Sequence, residues 1–194
     1  MASKRNSKLT EALRDKLLVK FWNPYDSEST HGYVMDIGPR FFLLGLVDGN
    51  FLEFNGFQCL RLSDIQKLQV PDPYSKFFVK ALRKRGQRIP RKPRIDVRSL
   101  PGLLTSANRL FPLVTIHRER VTPGTCKIGR VTGITEGHVS LLEIGPDAVW
   151  EGEPNEIRLS EITRVEFGGG YEEALHLVGG IPKRKKKFNR PNKA

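Results

Sequence analysis

The chain has 194 residues, enough for one or two small domains, and a net charge of +12. A mean hydropathy of −0.40 and the lack of any apolar run near the ~18 residues that a spanning helix needs argue against a membrane protein. Met1-Ala2-Ser3-Lys4-Arg5 has no apolar signal-peptide core, and Cys59 and Cys126 are too few for a disulfide scaffold or zinc cluster, so a cytoplasmic protein is expected.

The apolar pattern predicts the elements in order. Leu9, Ala12, Leu13 and Leu17 fall on one helical face. Strands are predicted at 17–22, 32–37 and 41–47, followed by a polar, Gly-containing connection over 48–57. Leu60 and Leu62 alternate before a Ser63-Asp64 corner, and Leu68 and Val70 after it. Tyr74, Phe77, Phe78, Ala81 and Leu82 then keep helical spacing. The same order repeats further on. A helix runs from Leu100 to Phe111 with Ser99 as its cap and Pro101 in its first turn. Strands follow at 113–118, 129–134 and 138–144, then a connection over 145–155. Ile157, Leu159, Val165 and Phe167 flank a Ser160-Glu161 corner, and Tyr171, Ala174, Leu175 and Val178 form a closing helix.

This is a tandem duplication. Shifting the chain by 97 residues lays Arg61-Leu62-Ser63-Asp64-Ile65 on Arg158-Leu159-Ser160-Glu161-Ile162. The shift also aligns Gly32 with Gly129, Val34 with Val131, Ile37 with Ile134, Leu44 with Leu141 and Tyr74 with Tyr171. Those nine identities exceed the roughly three that average residue usage would give. Five short strands in ~50 residues suit a small open barrel. The expected class is mainly β with short helices (α+β): two tandem five-stranded open barrels, each with an N-terminal and a C-terminal helix. The divisions are 1–82, a basic linker 83–98, a second unit 99–182, and a basic, disordered tail 183–194.

The two units resemble Sm-like (LSm) barrels, an SH3-like architecture, over about 17–70 and 113–167. The Sm family has a Gly-led second strand and an Ile-Arg-Gly-x-Asn-Ile corner. Leu60-Arg61-Leu62-Ser63-Asp64-Ile65 and Ile157-Arg158-Leu159-Ser160-Glu161-Ile162 keep its apolar-Arg-x-x-x-Ile frame. Ribosome-maturation factors carry a similar barrel. The family's Gly is Leu62 or Leu159 here, and its Asn is Asp64 or Glu161. A second family Asn falls at Phe42 and Val139, so the family's base pocket is not intact in either copy. Only Arg61 and Arg158 carry over. The resemblance implies RNA contact by these arginines, and assembly by pairing of barrel edges with protein partners or with further copies of the chain.

Charge is segregated. Residues 83–98 hold eight basic residues and one acid, and 183–194 hold seven and none, whereas the two bodies are near neutral or slightly acidic. Such arms attract phosphate backbones through counterion release. The expected contacts are Arg83, Lys84, Arg85, Arg88, Arg91, Lys92 and Arg94 in the linker, and Lys183, Arg184, Lys185, Lys186, Lys187 and Arg190 in the tail. Phe51, Phe54, Phe57 and Trp150 are expected to stack on unpaired bases. Catalytic signatures are missing. His31, His117, His138 and His176 have no metal-ligand spacing. Gly168-Gly169-Gly170 reads as a strand-to-helix turn, and neither cysteine is duplicated. No catalytic residue, metal or cofactor is expected. The sequence points to a non-catalytic nucleic-acid-binding protein, RNA first, with the barrels as platform. The alternative is a protein-interaction scaffold using barrel edges, with the arms as solubilising segments or, in a eukaryotic source, an import address.

Overall fold

The computed structural model of the protein describes residues 2–182. Helix α1 (Ala2–Asp15) lays Leu9 and Ala12, both fully buried, on the first sheet segment and ends at Lys16, whose φ of 49° stops the helix. Strands β1 (Leu18–Trp22), β2 (Thr30–Ile37), β3 (Phe41–Asp48), β4 (Glu53–Arg61) and β5 (Lys67–Gln69) follow, then α2 (Ser75–Lys84). The second copy comprises α3 (Leu100–Leu110), β6 (Val114–His117), β7 (Cys126–Ile134), β8 (His138–Glu143), β9 (Asn155–Arg158), β10 (Arg164–Phe167) and α4 (Gly170–Gly179). Ser99 caps α3 by accepting the Gly102 amide at 3.1 Å.

The duplication extends to individual backbone pairs. Gly32↔Leu46, Val34↔Leu44, Ile37↔Phe42 and Phe42↔Leu60 recur 97 residues later as Gly129↔Glu143, Val131↔Leu141, Ile134↔Val139 and Val139↔Ile157. A bulge at Val34/Asp36 recurs at Val131/Gly133, and both corners are 3-10 turns, Leu62–Asp64 and Leu159–Glu161. The glycine leading β2 and β7 is required by close approach. A Cβ on Gly32 would meet the Gly45 carbonyl, and one on Gly129 the Leu142 carbonyl.

One finding differs from the sequence reading. The connection predicted over 48–57 is a short turn, because β4 begins at Glu53 and pairs Phe54 with Val47. The ten strands form one antiparallel sheet in the order β5-β1-β2-β3-β4-β10-β6-β7-β8-β9. Both halves share the order fifth-first-second-third-fourth. They are joined where β4 pairs with β10, through Leu60↔Arg164, Cys59↔Val165, Gln58↔Glu166 and Phe57↔Phe167.

This seam is both apolar and charged. Phe57, Phe111 and Phe167 form a trio with ring centroids 4.9–5.9 Å apart. The Gly168-Gly169-Gly170 run is part of it. Side chains at Gly168 would strike Phe111, Gly56 packs on Gly168 and Gly169, and the Gly170 amide donates to Asn55 Oδ1 at 2.9 Å. Above the trio, Arg164 meets Asp26 at 2.7 Å, Glu119 at 2.9 Å and Glu166 at 3.4 Å. The Gln58 amide donates to Glu166 at 2.6 Å. Outside these, Arg120 crosses the seam to Asp64 at 2.8 Å and donates to the Tyr25 hydroxyl. The largest core cluster runs through both halves, from Leu18, Tyr33 and Leu43 to Val114, Ile116 and Val165.

Burial alone would raise the Glu166 carboxyl. The His117 ring, Arg164 and the Gln58 amide outweigh it and hold Glu166 down at about 2, against 4.5 when unfolded. A depressed carboxylate stabilises the fold above its unfolded pKa and loses that contribution as pH falls toward its folded pKa. Stability should therefore drop by about 2–3 kcal/mol from this group between about pH 5 and pH 2. Denaturant titrations across that window should show the fall in the wild type and a flatter profile in Glu166→Gln.

Candidate nucleic-acid interface

Helix α2 buries Phe78 and Leu82 and turns Lys76, Lys80, Arg83 and Lys84 outward. Its first turn is fixed from below. Asp72, fully buried, accepts the Tyr74 amide at 2.7 Å and pairs with His31 Nδ1 at 2.6 Å, while the His31 ring stacks on Phe78 at 4.9 Å. His31 Nε2 lies 3.3 Å from Ser29 Oγ. This histidine thus ties β2 to α2.

Between α2 and the α1–β1 junction lies an open cleft of about 590 Å³. Its floor is Leu17, Leu18, Pro71 and Val79, and its rim carries Lys16, Lys76, Lys80, Arg83 and Lys84. No acidic side chain lines it. Five cations around an apolar floor favour a polyanion whose backbone follows the rim. Further along β1, Lys20 stands 5.0 Å from the Trp22 ring and 5.4 Å from that of Tyr74, and Lys67 lies 4.6 Å from Trp22.

The linker residues divide. Arg83 and Lys84 line the cleft, and Arg88, Arg91 and Arg94 are exposed. Arg85 lies 3.8 Å from Glu53, and Lys92 pairs with Asp36 at 2.7 Å. Within the same segment Ile95 and Val97 are buried in the shared core and the Asp96 amide donates to Ser106 Oγ. Two apolar side chains and one backbone bond pin the segment to the body. The tail residues Lys183, Arg184, Lys185, Lys186, Lys187 and Arg190 lie outside the described residues.

The two corner arginines part company. Arg61 crosses the seam and donates through Nε to the Ile162 carbonyl at 3.0 Å and through a terminal nitrogen to that of Ser160 at 3.3 Å, with its guanidinium 5.7 Å from the Phe41 ring centroid. Arg61 is therefore occupied by protein. Arg158, at the far end of the sheet, has a side chain 70% exposed and lies 3.9 Å from Glu161.

Of the aromatics expected to stack on bases, Phe57 belongs to the seam trio and Phe54 packs on Tyr33 at 5.9 Å. Trp150 donates its indole to the Gly179 carbonyl at 3.0 Å. Only Phe51 of that set is largely exposed. Burial pushes the Cys59 thiol up, and burial with Glu166 and Glu172 does the same to Cys126, so neither favours a thiolate. Among the described residues no group of three His, Cys, Asp or Glu side chains is placed to hold a metal ion, and no helix is long and apolar enough to cross a membrane.

The sequence reading missed Lys16, Lys76 and Lys80. Lys76 and Lys80 stand four residues apart on the helix that carries Arg83 and Lys84, a signal present in the sequence. Lys16 joins them only through tertiary packing. Comparison of the chain with family models, with curated proteins and with solved structures returns no match.

Replacing each corner arginine separates their roles. Arg61→Ala should lower the unfolding free energy by about 1–3 kcal/mol, because two carbonyls lose a charged donor. Arg158→Ala should change protomer stability by less than ~0.5 kcal/mol. Urea titrations at low protein concentration read both.

Proposed function

We propose that the protein is a cytoplasmic, non-catalytic nucleic-acid-binding protein that takes RNA along the cleft between α2 and the α1–β1 junction. One observation carries this reading: Lys16, Lys76, Lys80, Arg83 and Lys84 converge on a single cleft without an acid. The exposed Arg88, Arg91 and Arg94 extend the positive surface along the linker. The cluster of Lys20, Trp22, Lys67 and Tyr74 offers π-faces beside cations, the combination that unpaired bases use. Each half is read as an Sm-like open barrel, supported by the common strand order, the common bulge and the common 3-10 corner. The choice of RNA rests on that resemblance, since phosphate contacts alone do not distinguish RNA from DNA.

Fluorescence anisotropy with labelled single-stranded RNA, duplex RNA and duplex DNA, over a salt series on the full chain, tests the reading. Wild-type affinity should fall steeply with salt and favour RNA. Each phosphate contact adds about 0.7–0.9 to the log–log salt slope, so the triple variant Lys76→Glu/Lys80→Glu/Arg83→Glu should lower the slope by about 2 or more. A variant that binds like the wild type would remove the cleft from the site. Equal affinity for all three ligands would leave a generic polycation.

A further inference from the structure

We propose that a second cleft, between the β1–β2 loop and the β3–β4 turn, binds a small aliphatic polyammonium ion. The inference stands apart from the nucleic-acid reading and rests on residues that reading does not use.

The cleft has a volume of about 650 Å³, the size of a small-molecule site. One lip is the loop between β1 and β2, with Asp26 and Glu28. The other is the turn after β3, with Asp48 and Asn50. No lysine or arginine is among its described lining residues. Its one imidazole, His31, is already paired with the buried Asp72. The sign is opposite to that of the cleft beside α2. In a chain of net charge +12, a cleft lined by acid alone is a local arrangement, and general attraction of the protein for cations does not explain it.

An independent observation points to a ligand that donates hydrogen bonds. Gln58 lines the cleft and is only 3% exposed. Its Nε2 donates across the seam to Glu166 at 2.6 Å, and its Oε1 is buried with no hydrogen-bond partner. The amide cannot turn over to relieve this, because the Glu166 carboxylate only accepts. A buried amide oxygen without a donor is rare in a folded protein and calls for one. The carboxylates have capacity to spare. Asp48 spends Oδ1 on the amides of Asn50 and Phe51, at 2.8 and 3.0 Å, and keeps Oδ2. Glu28 is exposed and makes no ion pair among the described residues. Asp26 is committed to Arg164 and to the Asn23 amide, both at 2.7 Å, so Glu28 and Asp48 carry the uncompensated charge.

The ligand class follows from these groups. An alkylammonium has three donors and no acceptor, which matches a cleft of acceptors: the Gln58 oxygen, a carboxylate on each lip, and the hydroxyls of Ser27, Ser29 and Thr30. Acids on opposite lips suit a ligand with a cationic group at each end. Leu46, Val47 and Phe78 give its methylene stem an apolar wall. A phosphate or carboxylate ligand is repelled by the same acids. A bare metal ion is disfavoured, because among the described residues no group of three His, Cys, Asp or Glu side chains is placed to hold one.

Nuclear magnetic resonance titration of the isotope-labelled, full-length protein with spermidine, free of nucleic acid, tests the proposal. Backbone amides of residues 26–30 and 48–50 should shift saturably, with half-saturation below ~1 mM. The monoamine n-butylammonium should bind at least ~10-fold more weakly, and Mg²⁺ should not reproduce the shifts. The double variant Glu28→Gln/Asp48→Asn should weaken spermidine at least ~10-fold. Asn at 48 keeps the oxygen that accepts the turn amides, so the fold is preserved. The control Glu11→Gln/Glu136→Gln removes the same charge from exposed positions elsewhere and should leave the affinity unchanged. The proposal is overturned by no saturable shift up to ~10 mM, or by shifts spread over the whole surface. It is also overturned by equal losses in the two double variants, or by n-butylammonium or Mg²⁺ binding these residues as tightly as spermidine. None of these outcomes bears on the cation cleft, which is read separately with RNA.

Discussion

The pairing of β4 with β10 is the constraint on which the rest of the molecule depends. Without it the chain would be two small units, each with a thin core and two open edges. With it, one sheet carries one main core, and Phe57, Phe111 and Phe167 exclude water beneath a polar layer of Gln58, Glu119, Arg164 and Glu166. The buried charges set the register more than they add stability. A shift of β10 against β4 by one residue would part Arg164 from Asp26 and Glu166 from Gln58, the two polar contacts here that cross between the halves. The glycine run at 168–170 follows from the same constraint, because backbone from both halves meets there with no room for a Cβ.

The seam also arranges the charge. Acidic groups near it are consumed by Arg61's neighbours Arg120 and Arg164, and Glu161 is held by Arg118 at 3.0 Å. On the far flank, α2 and the end of α1 bring five cations together around a cleft with no acid among its described lining residues. A net charge of +12 is therefore not spread evenly. Among the described residues the cleft and the linker that leaves it carry a dense run of positive charge, which attracts an anionic chain.

Much of this was legible in the sequence. The 97-residue repeat is reproduced in the backbone pairing of β2 with β3 and of β7 with β8, because both copies keep apolar residues at many of the same positions. Helix α3 was readable from Ser99, Pro101 and the spacing of its leucines. The start of β4 was not, because Asn55 and Gly56 read as loop and only pairing with β3 makes them strand. The fate of Phe54 and Phe57 was hidden for the same reason. They look like loop aromatics until β10 arrives beside them. The two corner arginines have closely similar local sequence and different partners, so no local pattern could tell that Arg61 is occupied and Arg158 exposed. The cleft escaped because Lys16 comes from one helix and Lys76, Lys80 and Arg83 from another.

The most direct test of the seam uses the two tryptophans, one in each half. Trp22 lies in β1 and Trp150 just before β9. In Trp150→Phe only the first half reports by fluorescence, and in Trp22→Phe only the second. If the shared sheet governs the fold, each variant's urea curve should coincide with its own unfolding curve followed by far-ultraviolet circular dichroism, in a single transition. A fluorescence transition that separates from the circular dichroism curve, with one half lost while the other remains folded, would contradict the account.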